Sequence, residues 1–270
     1  MVGTRSLVSL SLLFFVARQA TEALLLSGVE VPHAKESGLS RCLSDGVKYP
    51  LASFFTEDEL RPWDASNDQL FYLLPKFVQH ADERARAGLT EYYRCALPAK
   101  GGAVLDLCSS WTSHYPPEAK KNFERCAVLG LNPLELLLNP SKTEWTVRNL
   151  NVDPRLPYGD SEFDVVTNAL SVDYLRKPLE VFREVRRVLK PGGLAAMAFT
   201  NRCFPSKVVP IWTRPFTDEA HAQIVANYFH FAEGFTDISV ADVSPPGWDG
   251  VQHPMVVVAA RKTDDARASS

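Results

Sequence analysis

Short apolar runs alternate with longer amphipathic segments between residues 103 and 229. Apolar residues that recur at three- and four-residue spacing predict helices, whereas the short runs predict buried strands. The predicted strands are 103–108, 126–131, 144–149, 163–168 and 194–200, and the predicted helices begin at Pro116, Pro133, Pro178 and Asp218. Strands alternating with helices at this spacing predict βαβ units and a parallel sheet.

The C-terminal part of the pattern differs from this alternation. Two apolar runs, 238–243 and 255–260, have no helical segment between them and are joined by a loop rich in proline and glycine. We therefore expect an antiparallel strand pair at the end of the sheet. The predicted fold class is α/β: a Rossmann-like, seven-stranded, mostly parallel sheet with a closing antiparallel pair and helices on both faces.

Two helices are predicted ahead of the sheet. Thr56 is suited to cap a short helix. A longer helix is predicted from Phe71 to Leu97, because apolar residues recur there at helical spacing. Pro98 and the glycine pair at 101–102 end it.

The N-terminus carries a predicted targeting segment over residues 1–23. Arg5 precedes an apolar run over 7–16 that is too short to span a bilayer, and small residues at 21–23 suit cleavage. Residues 24–55 read as a linker or a transit-like segment, 56–262 as the folded domain and 263–270 as a disordered polar tail. We expect entry into the secretory route with a plastid as the onward destination. A mitochondrial or other organelle presequence is the alternative.

Composition and charge narrow the function classes. The net charge is −3, so the chain offers no basic field for nucleic acid. The five cysteines include no C-x-x-C pair, which argues against a zinc site and a disulfide scaffold, and no metal site is predicted. The oligomeric state is left open by the sequence.

The candidate chemistry begins in the segment GGAVLDLCSSWTSHY, residues 101–115. An apolar strand carries an acid, Asp106, near its end and runs into a turn of small residues. A nucleotide-binding α/β protein starts its ligand site in this way, but the glycines expected after the acid are absent. The segment is therefore either a cofactor loop built without glycine or a loop that has lost its cofactor.

Three segments resemble motifs of the class I S-adenosylmethionine-dependent methyltransferases of type 11: VLDLCSS, LPYGDSEFDVV and VFREVRRVLKPGGLAAMAF. Further segments, among them DLCSSWTSHYP and FTNRCFPSKVVPIW, look like a subgroup of methyltransferase-like proteins of photosynthetic organisms. The resemblance implies S-adenosylmethionine as cofactor and a small-molecule methyl acceptor. A non-catalytic binding or assembly protein is the alternative, and a nicotinamide-dependent oxidoreductase is disfavoured by the missing G-x-G-x-x-G.

The resemblance also implies a set of cofactor-binding positions at the strand ends. Cys108, Ser110 and Thr112 stand at the three positions where the family has glycines. Asn132 stands where the family usually has an acid for the ribose, although it also suits a helix N-cap before Pro133. The predicted cofactor-binding residues are Asp106, Cys108, Ser109, Ser110, Asn132, Asn149, Leu150 and Asn168.

Two later loops carry the candidates for the reaction itself. Asp173 and Tyr174, after the fourth strand, are the nearest polar groups for orienting a nucleophile or taking its proton. Their alternative role is to form a turn that caps the next helix. Arg202 and Phe204, after the fifth strand, are the predicted substrate contacts. Methyl transfer mainly requires alignment and exclusion of water, so the absence of an obvious acid–base motif does not exclude an enzyme.

Overall fold

The computed structural model describes residues 55–214, 217–244 and 253–263. The predicted targeting segment, the segment that follows it up to residue 54, most of the predicted loop between the two C-terminal strands and residues 264–270 lie outside the described residues. Within the described ranges, no helix is long and apolar enough to cross a membrane.

Seven strands form one sheet, which confirms the predicted fold class. The strands are β1 Ala103–Leu107, β2 Arg125–Gly130, β3 Glu144–Val147, β4 Phe163–Ala169, β5 Leu189–Phe199, β6 Phe235–Asp242 and β7 Val256–Lys262. Their order across the sheet is β3-β2-β1-β4-β5-β7-β6. The first five are parallel, and β7 pairs antiparallel with both β5 and β6. From β1 the chain first adds strands on one side of the sheet and then, with β4, on the other. Parallel sheets bind their ligands at such a reversal of strand order.

Helices cover both faces of the sheet. They are α1 Glu57–Leu60, α2 Asp68–Phe71, α3 Glu83–Ala96, α4 Ala119–Asn122, α5 Pro133–Leu138, α6 Pro178–Val188, α7 Pro210–Thr213 and α8 Asp218–Ala232. On one face, Tyr92 and Tyr93 of α3 pack with Val128 of β2. On the other, Phe182 of α6 and Tyr228 of α8 complete the larger core. The alternating strand residues thus bury both faces, as expected of a parallel sheet.

The long helix predicted from Phe71 to Leu97 is wrong over its first half. Helix α2 ends at Phe71, and α3 begins only at Glu83, where the Asp82 side chain accepts from the Ala85 amide. Pro75 lies between them; it supplies no amide hydrogen and disfavours helical backbone at the residue before it. The helical spacing of apolar residues across 74–81 was therefore misleading.

The helix predicted at Pro116 is reduced to the single turn α4. The chain between β1 and α4 is irregular because buried side chains satisfy its polar groups in place of a helical ladder. Asn139 donates to the carbonyl of Ser110 and to the hydroxyl of Ser113 at 2.9 and 2.8 Å. The first loop of the sheet therefore does not run into a full helix.

Candidate functional site

One pocket opens at the carboxyl ends of the parallel strands, across the point where the strand order reverses. Five strand ends contribute to it, together with the irregular segment ahead of α3. The lining residues fall within 68–80, 106–114, 130–135, 148–151, 169–175 and 202–207. A ligand in this pocket would contact every loop that follows a parallel strand.

Side-chain hydrogen bonds hold the loop after β1 in the absence of glycine. Asp106, which is buried, accepts from the Ser109 hydroxyl at 2.6 Å and from the Thr167 hydroxyl at 3.0 Å. Asn139 donates to the Ser109 hydroxyl at 3.3 Å. A methyl group at Gly130 would lie 2.1 Å from the carbonyl oxygen of Ser109, so the loop packs directly on the end of β2. Strand β4, the C-cap of α5 and the end of β2 therefore all hold this loop in place.

Strained backbone is concentrated around this pocket. Cys108, His114 and Leu170 line it and have φ angles of 52°, 56° and 58°. Such angles belong to the left-handed region that favours glycine. Cys108 thus keeps a glycine-type conformation at the first of the three glycine positions. Strain of this kind persists where the surrounding structure enforces it, and it clusters at ligand sites.

Burial changes the protonation of the groups at the end of β1. It raises the pKa of the Asp106 carboxyl to about 6, although hydrogen bonds from Ser109, Ser113 and Thr167 favour the ionised form. Burial and the neighbouring Asp106 raise the pKa of the Cys108 thiol to about 12. The thiol is therefore neutral and a poor nucleophile at physiological pH.

Asn132 uses both of its polar atoms within the protein. Its oxygen accepts from the amides of Leu134 and Glu135 at 2.9 and 3.1 Å, which caps α5. Its nitrogen donates to the carbonyls of Tyr72 and Leu73 at 2.9 and 3.2 Å. The structure thus realises the helix-cap role, and a ribose contact would require one of these bonds to break.

Glu135 is an acid at the same strand end that sequence reasoning missed. It is buried and lines the pocket. One carboxylate oxygen accepts from the Lys76 amide at 2.6 Å and the other from the Ser110 hydroxyl at 2.5 Å. A carboxylate has about four acceptor sites, so Glu135 retains capacity for a ligand. Its place three residues after the Asn132 cap is the signal that was available, since that position carries the acid of a capping box.

Asn149 and Leu150 line the pocket after β3, as predicted. Both are buried, and the Asn149 amide lies 3.4 Å from the Asn67 side-chain oxygen. Asn151 ties this loop to its neighbours: it donates to Asp68 and to the carbonyl of Tyr174, each at 3.0 Å. Leu150 therefore offers an apolar wall and Asn149 an amide at this end of the pocket.

Asn168 and Asp173 lie behind the pocket instead of lining it. Both are buried and neither belongs to the lining residues. Burial raises the pKa of the Asp173 carboxyl to about 8, so it is largely protonated at neutral pH. Asp173 lies on a 3-10 turn, Val172–Tyr174, and Asn168 lies in β4, so the structure does not bring either of these predicted site residues to the pocket wall.

Tyr174 does line the pocket, but its hydroxyl is already engaged. It accepts from the Phe204 amide at 2.8 Å, and burial raises the pKa of the phenol above its usual range. The residue therefore fixes the loop after β5 and is not suited to take a proton from a nucleophile.

Phe204 stands at the centre of an aromatic cluster inside the pocket. Its ring centroid lies 5.3 Å from that of Phe71 and 5.5 Å from that of His80. The Lys76 ammonium lies over Phe71 at 4.5 Å and over Phe204 at 5.6 Å from the ring centroids. Arg202 is exposed and lines the same end, so both predicted substrate residues reach the pocket.

A buried lysine, Lys207, holds the segment 64–68 against the pocket. Lys207 is almost fully buried, and its ammonium lies 3.0 Å from Asp64 and 3.2 Å from Asp68. It also donates to the carbonyls of Asp64 and Ser66. These contacts join the segment ahead of α3 to the loop after β5, which sequence spacing could not reveal.

Two further observations define what the site is made of. No cluster of potential metal ligands occurs among the residues that the structure describes. Trp111 lines the pocket, whereas Trp212 is buried in the core and stacks on His221 at 4.3 Å between ring centroids. The site is therefore an aromatic and polar pocket built from side chains and strand-end backbone.

Comparison with known proteins finds similar sequences over part of the chain. The family described as "Methyltransferase domain" matches residues 110–197, from the loop after β1 into β5. The match begins beyond Asp106 and Cys108. A curated relative, demethylmenaquinone methyltransferase of Listeria monocytogenes serotype 4a, is 30% identical over 149 residues, which cover 52% of this chain and 60% of the relative. The chain thus spans less than two thirds of that relative.

Solved structures share the fold at low sequence identity. The [4+2]-cyclase SpnF gives a TM-score of 0.51 with 14% identity, over 70% of this chain and 89% of that one. A chain in the complex of the Haloferax volcanii Trm112 methyltransferase activator with a methyltransferase gives 0.50 with 17% identity, over 77% and 100%. Because one neighbour is named as a cyclase, the shared fold by itself does not fix the reaction.

Proposed function

We propose that this chain, which matches the family described as "Methyltransferase domain" over residues 110–197, is a class I S-adenosylmethionine-dependent methyltransferase that binds S-adenosylmethionine in its strand-end pocket and methylates a small molecule there. The observation that carries the proposal is the convergence of all five parallel strand ends on one pocket at the reversal of strand order. The strained, glycine-type backbone at Cys108 supports it, because it keeps the loop conformation without the glycine.

The residues present fit this cofactor. Glu135 offers a carboxylate with spare acceptor capacity for ribose hydroxyls, and Asn149 with Leu150 offers an amide and an apolar wall for a flat base. The loop of Ser109 and Ser110 would face the methionine half. When bound, the cofactor supplies an activated methyl group on a positively charged sulfur.

The remaining task of the protein is to align an acceptor and exclude water. The rings of Tyr72 and Phe204, which line the pocket, form an apolar wall for a planar acceptor, and Phe71 packs against both of them. His80 lies beside Phe204, and burial lowers the pKa of its imidazole, so the ring is neutral at physiological pH and able to accept a proton. We assign His80 the role of base for acceptors that must lose a proton.

We infer that the acceptor is a small aromatic molecule. The aromatic wall supports a flat ring, and the Lys76 and Arg202 side chains at the same end favour an acidic substituent on it. A small-molecule acceptor also agrees with the name of the curated relatives, demethylmenaquinone methyltransferase.

The test of this activity is transfer of labelled methyl from S-adenosylmethionine by the purified full chain to a panel of aromatic acids, phenols and, for comparison, aliphatic acids and amines. We expect turnover of acidic ring acceptors, and a loss of at least about tenfold in kcat for H80A with phenols. Turnover confined to non-aromatic acceptors would contradict the proposed acceptor class. If no acceptor is methylated, the proposed methyltransferase activity itself is contradicted.

A second candidate, a non-catalytic binding protein, is favoured by one observation. Both polar atoms of Asn132 and the Asp106 carboxyl are already hydrogen-bonded within the protein. This candidate predicts that the chain does not bind the cofactor but forms a stable complex with a partner.

The N-terminal segment is proposed to direct the chain to an organelle through the secretory route. The apolar run over 7–16 with its preceding arginine supports this route. A fluorescent protein fused behind residues 1–55 would enter the endoplasmic reticulum and then a plastid in a plastid-bearing cell; import into mitochondria would contradict this and favour the presequence. Membership in the narrower subgroup of photosynthetic organisms stays a prediction.

A further inference from the structure

In the described part of the chain, the exposed large hydrophobic side chains are concentrated in two stretches of sequence. Among the described residues, the large hydrophobic side chains that are exposed lie only in the stretches 63–78 and 134–152. They are Trp63, Leu70, Leu73, Leu74, Phe77, Val78, Leu134, Leu137, Leu138, Trp145, Val147 and Val152. Single exposed apolar residues are normal, but a concentration of this kind marks an interaction surface.

The sheet register places part of this set on one face. Trp145 and Val147 are two residues apart on edge strand β3, so they point to the same side. Trp145 pairs with Val128, whose core cluster includes Leu136 of α5. The exposed Leu134, Leu137 and Leu138 therefore flank the edge strand on the face that α5 covers. We call these five residues the α5–β3 face.

The α5–β3 face continues to the mouth of the pocket. Asn132, the cap of α5, holds the carbonyls of Tyr72 and Leu73, and Glu135 holds the Lys76 amide. These bonds bring the exposed segment 73–78 beside α5. Phe77 contacts Trp111 at 6.2 Å between ring centroids, and Trp111 lines the pocket. The apolar surface and the pocket opening are thus adjacent.

Two lysines border this surface. The acids nearby contact other bases: Asp64 and Asp68 share Lys207, Glu144 and Glu162 share Arg125, and Asp153 pairs with Arg148. Lys142 and Lys177 are bound only to carbonyls, those of Leu137, Asn139 and Val152, which belong to or border the exposed stretch. In the described part of the chain neither lysine has an ion-pair partner.

We propose that the α5–β3 face docks onto the surface of an anionic lipid bilayer and presents the pocket mouth to it. Apolar side chains enter the headgroup boundary while lysines contact anionic headgroups, which is how interfacial surfaces bind. Self-association through this face is the competing arrangement, and sedimentation velocity distinguishes it from docking on a bilayer. The proposal goes beyond methyl transfer and does not depend on it.

Brominated-lipid quenching of Trp145 tests the docking directly. The full chain is mixed with vesicles of phosphatidylcholine and phosphatidylglycerol that carry brominated acyl chains, without cofactor or acceptor. Trp145 fluorescence, isolated by subtraction of W145F, is expected to be quenched. The double variant L137E/L138E is expected to raise the lipid concentration for half-quenching by about tenfold or more. Quenching should also weaken when phosphatidylglycerol is left out.

K100E is the matched control, since it changes the net charge by the same amount as L137E/L138E at an exposed position at the opposite end of β1. It is expected to bind like the parent chain, and circular dichroism checks that each variant is folded. Trp145 that stays unquenched in vesicle-bound chain overturns the proposal, as does equal weakening by K100E. A dimer in sedimentation velocity that L137E/L138E converts to monomer, with unchanged quenching, would also overturn it.

Discussion

Cys108 and Leu170 hold left-handed backbone at the two loops that flank the reversal of strand order. A side chain at such an angle costs on the order of 1 kcal/mol, so the surrounding hydrogen bonds must enforce it. At Cys108 these bonds come from Asp106, Ser109 and Asn139. Side chains have thus replaced glycine in shaping the loop, while the backbone conformation is retained.

Residue 108 is therefore expected to favour glycine over alanine. We predict that C108G is more stable than C108A by about 1 kcal/mol, because only glycine adopts this angle without strain. The matched control is Cys126, which lies buried in the extended strand β2, where C126G should be less stable than C126A. Urea denaturation measures both pairs. If the alanine variant is more stable than the glycine variant at both positions, the backbone of residue 108 is not strained.

Asp173 is expected to make stability fall as the pH rises. Its carboxyl has a folded pKa of about 8, against an ordinary value of 3.8, because burial disfavours the charge. Between these values the folded chain holds a proton that the unfolded chain has lost, so the free energy of unfolding decreases with increasing pH. His114 acts in the opposite sense, since burial lowers the pKa of its imidazole to about 4.

The variant D173N isolates this effect, because asparagine does not titrate. Relative to D173N, the parent chain should lose up to about 1.4 kcal/mol of unfolding free energy per pH unit between pH 5 and pH 8. Denaturation midpoints across this range give the difference, in which the contribution of His114 cancels. Parallel curves would mean that Asp173 is ionised in the folded chain.

At the level of elements, α5 serves as the anchor of the pocket. Its N-cap, Asn132, holds the segment ahead of α3, and its C-cap, Asn139, holds the loop after β1. Glu135 on its first turn joins both, through the Lys76 amide and the Ser110 hydroxyl. A helix of six residues therefore fixes two opposite walls of the site.

The two asparagines should release different walls when their donor group is removed. N132D keeps the oxygen that caps α5 but loses the bonds to Tyr72 and Leu73, at a cost of about 1–3 kcal/mol. Hydrogen exchange of residues 72–78 should then accelerate. N139D is the matched control, and it should instead accelerate exchange at residues 109–113. Equal protection in both variants would contradict the anchoring role.

Local patterns predicted most elements but not the segment that closes the pocket. Strands were found because buried parallel strands form short apolar runs, and Asn132 followed by Pro133 was recognisable as a helix start. Residues 72–82 were misassigned because their contacts lie far away in sequence, with Asn132, Glu135 and Phe204. Pro75 was the one local signal against a helix there.

For the molecule as a whole, the sheet order and the loops at its carboxyl edge determine where the ligand binds. The sequence predicted this edge through Asp106, Asn149 and Phe204, which all line the pocket. It did not predict Lys76 and Glu135, whose positions depend on how distant segments pack. Parallel strands converge by geometry, whereas the identity of the side chains that face the pocket depends on tertiary contacts.

Calorimetric titration of the full chain with S-adenosylhomocysteine tests the central claim most directly. We predict saturable binding at one site, weakened about tenfold or more in E135Q, because a carboxylate is lost from the pocket. E144Q, whose carboxylate pairs with Arg125 outside the pocket, should bind like the parent chain. Absence of binding at millimolar ligand by folded chain would contradict the account and favour the non-catalytic alternative.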